Sequence, residues 1–169
     1  MSSDYAVLDA PRAEAEAARQ EFLTCRLGGE HYGIDILKVQ EIREIDLVTR
    51  VPHVAPYVRG VINLRGAIVP IVDLGLLFGF PEPLPLEKAS VIVLNVDHRM
   101  VGLVVAGVSD VVALAEHEIL PPPELGDRAI GRAIQGIGTR GAATQEEGGA
   151  SLLLLDVHYV LRRVREERE

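Results

Sequence analysis

The chain has 169 residues and a formal net charge of −8, with 48% hydrophobic but only 4% aromatic residues and no Trp. The acidic balance argues against a nucleic-acid binder, which presents a basic footprint, and the apolar stretches break well short of the ~20 residues that a membrane span needs. A core of Val, Ile and Leu is expected, in one compact domain or in two subdomains that share a core.

Residues 1–20 read as a flexible N-terminal arm, its Ala- and Glu-rich part a frayed helix or disordered. The opening MSSDY lacks the basic and apolar regions of a signal peptide, so a cytoplasmic protein is expected. An apolar strand over 22–27 meets a turn at Gly28-Gly29, a second strand covers 32–36, and a third covers 39–45. The single cysteine, Cys25, falls in the first strand, where a buried inert thiol is expected.

The most informative stretch follows, residues 59–74, RGVINLRGAIVPIVDL. β-Branched residues on both sides of the break at 63–66 spell a β-hairpin. Arg65 stands at its tip. A long cation among apolar residues on a fixed turn calls for an acidic partner, in the same protein or in another molecule. Glu41, on a strand with apolar neighbours, is the expected partner; the alternative is a solvated arginine with none. Pro70 inside the strand pattern predicts an edge or a bulge. Asp73 is placed to cap a helix that carries Leu74, Leu77 and Phe78. Pro81, Pro83 and Pro85 then make a stiff connector over 79–88.

The second half repeats the first. Residues 22–46 and 91–115 align without a gap at an offset of 69, matching Gly33 with Gly102, Val39 with Val108, Glu41 with Asp110 and Ile42 with Val111. The offset becomes 76 at Gly60 and Gly136, then 83 at Asp73 and Asp156, so the second copy carries two insertions. Strands are expected over 91–96, 100–105 and 108–114, and the segment 139–149 reads as a mobile loop. Asp156 caps a helix on which Val157, Val160, Leu161 and Val164 recur at helical spacing, and 164–169 is a solvated helical tail. Two units, 22–78 and 91–161, are therefore predicted, each a small barrel or sandwich. A unit of about 60 residues is marginal alone, so the two should support each other.

A search for chemistry finds none. The histidines at 31, 53, 98, 117 and 158 have no metal-ligand spacing, and neither a phosphate loop nor a nucleophile elbow occurs. His117-Glu118 reads as two exposed polar residues rather than an acid–base pair. No catalytic residue, metal site or cofactor is expected.

Residues 32–43 (YGIDILKVQEIR), 60–66 (GVINLRG) and 68–74 (IVPIVDL), then 91–95 (VIVLN) and 107–112 (GVSDVV), resemble the bacterial chemotaxis coupling family, CheW. The likeness covers roughly residues 21–163. It implies a mainly β fold of two tandem SH3-like five-stranded barrels with short helices after the last strand of each. It implies a non-enzymatic adaptor that joins the tips of chemoreceptors (methyl-accepting chemotaxis proteins) to the regulatory domain of the histidine kinase CheA. Weak self-association in array rings, recruitment to membrane-anchored receptor arrays, and no direct insertion into the membrane go with it. By resemblance, the receptor-facing surface takes Val39, Glu41, Arg65, Asp110 and Val111, and the kinase contact takes Arg59, Gly60 and Val61. The 139–149 loop departs from the shorter turn expected of the family. Two other readings stand beside this one. One is an adaptor of the same build in a chemosensory pathway for surface motility or gene control. The other is a β-barrel that binds a small ligand, which would need a roomy pocket with converging polar groups.

Overall fold

The computed structural model describes residues 19–45, 47–122, 124, 129–139 and 151–168. The expected N-terminal arm, apart from its last residues, and nearly all of the 139–149 loop lie outside them. The strands are β1 (Gln20–Leu27), β2 (Glu30–Asp35), β3 (Val39–Arg43), β4 (Val58–Leu64), β5 (Ala67–Asp73), β6 (Ser90–Val96), β7 (Arg99–Val105), β8 (Gly107–Leu114), β9 (Ile119–Leu120), β10 (Ile134–Gly138) and β11 (Leu152–Leu155). Helix α1 (Leu74–Leu77) follows β5, α2 (Ala129–Ala133) precedes β10, and α3 (Val157–Arg168) follows β11. The fold is mainly β, with two sheets and a short helix after the closing strand of each, as the sequence predicts. The segment expected as a tail continues α3.

Local chemistry explains the hairpins. The turns at Gly28-Gly29 and Asp97-His98 each hold two residues at positive φ, 59° and 82° in the first and 51° and 65° in the second. Two-residue loops of this hand match the right-handed twist of the strands they join. Asp73 and Asp156 cap helices as expected: Asp73 Oδ1 accepts from the Leu76 amide at 3.1 Å and Asp156 Oδ1 from the Tyr159 amide at 3.2 Å.

The pairing departs from the expectation of two barrels built from contiguous stretches. One sheet runs β8-β1-β2-β11-β10-β9 and the other β3-β6-β7-β5-β4. The hairpin β1–β2 of the first copy therefore completes a barrel with strands of the second copy, and β6–β7 of the second completes the barrel of the first. The units 22–78 and 91–161 exchange their opening hairpins. The same rules hold in both: β2 pairs in parallel with β11 (Gly33 opposite Leu154), as β7 pairs in parallel with β5 (Gly102 opposite Ile71). At both glycines the crossing side chains leave no room. A Cβ on Gly33 would stand 2.9 Å from Leu152 and Leu154, and one on Gly102 would stand 2.7 Å from Ile71.

Pro70 is a second correction. It lies in a central strand rather than an edge, paired with Val61 of β4. Val61 turns its own amide and carbonyl to Thr49, so the β4 side loses no hydrogen bond at Pro70, and the parallel ladder to β7 begins one residue later, at Ile71.

Burial follows the exchange. The largest core cluster combines Leu23, Cys25 and Ile34 of one sheet with Ile92, Leu94 and Leu103 of the other, and α3 adds Val157, Val160 and Val164. Smaller clusters fill single sheets, Leu64, Val69, Ile71, Val91, Val93 and Val104 in one and Phe22, Leu114 and Leu154 in the other. At roughly 1.5–3 kcal/mol per fully buried aliphatic side chain, the shared cluster is the largest single contribution to stability. Each sheet keeps only a smaller core of its own beside the shared one.

Candidate functional site: an ion pair on an exposed barrel face

Glu41 is aimed by a bulge. The register of β3 on β6 shifts between Val39 and Glu41. Strand β8 repeats the irregularity on β1, between the residues paired with Leu23 and Cys25, which places Asp110 at the matching point. Arg65 comes from the other end of the sheet. It forms a two-residue turn with Gly66, at φ 51° and 88°, and the Asn63 side chain accepts from the Gly66 amide at 2.9 Å. Its guanidinium meets Glu41 with both nitrogens, Nη1 to Oε1 at 2.8 Å and Nη2 to Oε2 at 3.4 Å.

Energetically this pair does little for the fold. Arg65 is 70% exposed and Glu41 24%, and an exposed pair contributes only ~0–1 kcal/mol. A left-handed conformation costs a non-glycine residue about 1–2 kcal/mol, so the arginine is held at a position where Asn or Gly would be less strained. Strain retained on the surface points to function rather than stability.

The other receptor-face candidates divide. Val39 is half-buried and packs on the shared core. Val111 is 43% exposed, and Asp110 beside it is exposed with no ion pair among the described residues. Asp110 and Val111 stand on β8, in the sheet opposite to Glu41 and Arg65. Gly148, which aligns with Arg65, lies outside the described residues.

Arg59, Gly60 and Val61 prove structurally engaged. Arg59 Nη1 donates to Asp73 Oδ2 at 3.2 Å and to the Leu84 carbonyl at 2.7 Å. Asp73 is fully buried, and its carboxylate also accepts from the Leu84 amide at 3.0 Å. Gly60 sits at φ 145° at a shift in the β4–β5 register, and a Cβ there would strike the Thr49 carbonyl. Val61 exchanges two backbone hydrogen bonds with Thr49, at 2.9 and 2.8 Å.

Sequence reasoning missed several exposed apolar side chains. Leu37 is 85% exposed, Leu47 86%, Ile68 62% and Ile42 48%. Ile42 carried a signal, since it aligns with Val111, which is also exposed. Cys25 is fully buried, and burial pushes its thiol up from 9.0 to about 12. Among the described residues no group of three His, Cys, Asp or Glu stands ready to hold a metal ion, and no helix is long and apolar enough to cross a membrane.

The CheW-like domain family matches residues 21–165. The chain belongs to the CheW family. It is 44% identical over 146 residues to chemotaxis protein CheW of Klebsiella aerogenes, covering 86% of this chain and 84% of that one. Chemotaxis protein CheW of Rhizobium meliloti is 36% identical over 121 residues, covering 70% and 78%. Among solved structures, the scaffolding protein TtCheW of Thermoanaerobacter tengcongensis superposes with a TM-score of 0.70 at 26% identity, covering 82% of this chain and 89% of that one. As a CheW-family member the chain is a chemotaxis adaptor coupling receptors to the kinase CheA. The two-sheet architecture is that of the CheW neighbour.

Proposed function

We propose that this adaptor works without catalysis and divides its partners between two surfaces. The receptor tip meets Glu41 and Arg65 on one sheet, with Val39 supporting them from below, and reaches across to Asp110 and Val111 on the other. The CheA regulatory domain meets the surface around β4, where Val61 lies, and Arg59 and Gly60 fix the course of the strand beneath. Binding both partners draws the protein to membrane-anchored arrays, where weak contacts between copies add to the assembly. Such interfaces are individually small, and linkage of many supplies the strength.

The observation that carries the receptor face is the two-pronged Glu41–Arg65 pair, built on a strained turn and adding little to stability. Reversing one charge, in Glu41→Arg or Arg65→Glu, should weaken binding to a purified receptor signalling fragment by about tenfold, roughly 1.4 kcal/mol. The melting temperature should move by no more than about 4 °C, the shift expected for ~1 kcal/mol. The double swap should recover part of the lost binding. Unchanged receptor binding in both single variants would remove the face from the receptor interface. Loss with no recovery would leave Arg65 as a direct partner contact acting without Glu41.

A further inference from the structure

Strands β5 and β7 and helix α3 border a groove that nothing above uses. One part is a cavity of about 310 Å³ lined by Ile68 and Pro70 of β5, Met100 of β7, and Leu161 and Val164 of α3. Its neighbour, about 300 Å³, is lined by Asp97, Arg99, His158, Leu161, Arg162 and Arg165. Arg99, Leu161 and Arg165 line both, so the two form one groove with an apolar half and a cationic half. Ile68 at its apolar end is 62% exposed, an aliphatic side chain left in water on a β-strand.

The charge here runs against the rest of the molecule. The chain carries −8 overall, yet three arginines from two elements converge on this groove. None of Arg99, Arg162 and Arg165 has a carboxylate partner among the described residues. The acid in the rim, Asp97, faces His158 instead, at 3.7 Å. Along the sequence, Arg165 reads as part of a solvated helical tail, with Arg162 just before it. Folding brings β7 against that helix and gives the arginines a shared apolar floor.

We propose that this groove docks an acidic segment of a partner protein, one that sets aliphatic side chains on Ile68, Met100 and Leu161 and carboxylates on Arg99 and Arg165. A small anion would leave the apolar half empty. An aliphatic ligand would leave the arginines unused. An amphipathic acidic peptide fits both halves, and opposite charge raises its capture rate and fixes its register.

The test uses the full chain and a short fluorescent peptide that alternates Glu with Leu. Two further peptides replace Leu by Ser or Glu by Lys, and anionic phosphatidylglycerol vesicles and inorganic phosphate serve as competitors. The Glu/Leu peptide should bind, more weakly as salt rises. Arg99→Glu with Arg165→Glu should lower its affinity by about tenfold or more, and Ile68→Ser should lower it without changing the salt dependence. All three substituted side chains are exposed, and unchanged thermal melting would confirm intact folds; Arg99→Gln with Arg165→Gln serves if the reversals unfold the protein. Failure of the Glu/Leu peptide to bind at millimolar concentration would overturn the proposal. Equal binding of the Ser peptide, with displacement by phosphate, would reduce the groove to an anion site and overturn it. Tight vesicle binding lost in the same variants would assign the groove to a lipid surface and overturn it too.

Discussion

Two arginines, Arg59 within strand β4 and Arg65 just after it, show how burial sets the worth of a charge. Arg59 joins a carboxylate that is fully buried, and Arg65 joins one at the surface. Removing one partner of a buried pair leaves an uncompensated charge and costs about 3–5 kcal/mol. Arg59 is 20% exposed on its side chain, so the lower end of that range applies. Arg59→Ala should therefore destabilise the protein by about 3 kcal/mol in urea unfolding, whereas Arg65→Ala should stay within about 1 kcal/mol. A weakened kinase contact in Arg59→Ala must then be judged against stability, while Val61→Ser tests the same surface without breaking the ion pair. Asp73 was legible as a cap from its position before an apolar helical pattern. Its pairing with Arg59 was not, because β4 and the 79–88 connector meet there only after folding.

The buried thiol supplies a pH prediction. Cys25 is raised from 9.0 to about 12 by burial, and Tyr32 from 10.0 to about 12, first by burial and then by the charges of Glu30 and Cys25. Above pH 9 the unfolded chain loses these protons before the folded one does. The native state then binds more protons, so stability is fully present below pH 9 and falls as pH rises toward 12. Urea midpoints should be flat just below pH 9 and drop above it, and Cys25→Ala should flatten the first part of the fall. A midpoint that rises in alkali would contradict the burial of both groups.

Among elements, the hairpins were the easiest to read and the bulges and parallel contacts the hardest. The turns at Gly28-Gly29 and Arg65-Gly66 announce themselves locally, because glycine accepts the positive φ that such turns need. The matched pair Gly33 and Gly102 was visible only as an alignment. Its reason is the side chains of the neighbouring strands that lie across each glycine, Leu152 and Leu154 at Gly33 and Ile71 and Val91 at Gly102. Gly102→Ala would press a methyl group against Ile71 and Val91, and should cost about 1–3 kcal/mol by thermal unfolding. An unchanged melting temperature would show that those side chains can move aside. Pro70 taught the converse lesson: a strand proline excludes a donor at one point, and a central strand tolerates it when the neighbouring ladder starts one residue later.

At the scale of the whole molecule, the exchanged hairpins make the halves interdependent. Each barrel takes two strands from one copy and the rest from the other, and the largest core cluster lies across both. Residues 19–89 and 90–168 expressed separately should each remain unfolded or aggregate, since each would expose unpaired strand edges and half of the shared core. Mixed, they should assemble into one folded complex with the circular dichroism of the intact chain. Independent cooperative folding of either half would be incompatible with the exchange. The sequence by itself determined the strands, turns, caps, duplication and family likeness, because these depend on residues near one another or on long ordered motifs. Only the tertiary structure decided that β2 pairs with β11 rather than β5, that Arg59 serves Asp73, and that Arg99 joins Arg165 over an apolar floor. The physical reason lies in the duplication: matched strands offer the same pattern to their own copy and to the other. Pairing within a copy and pairing by exchange thus look alike in sequence, and only core packing separates them.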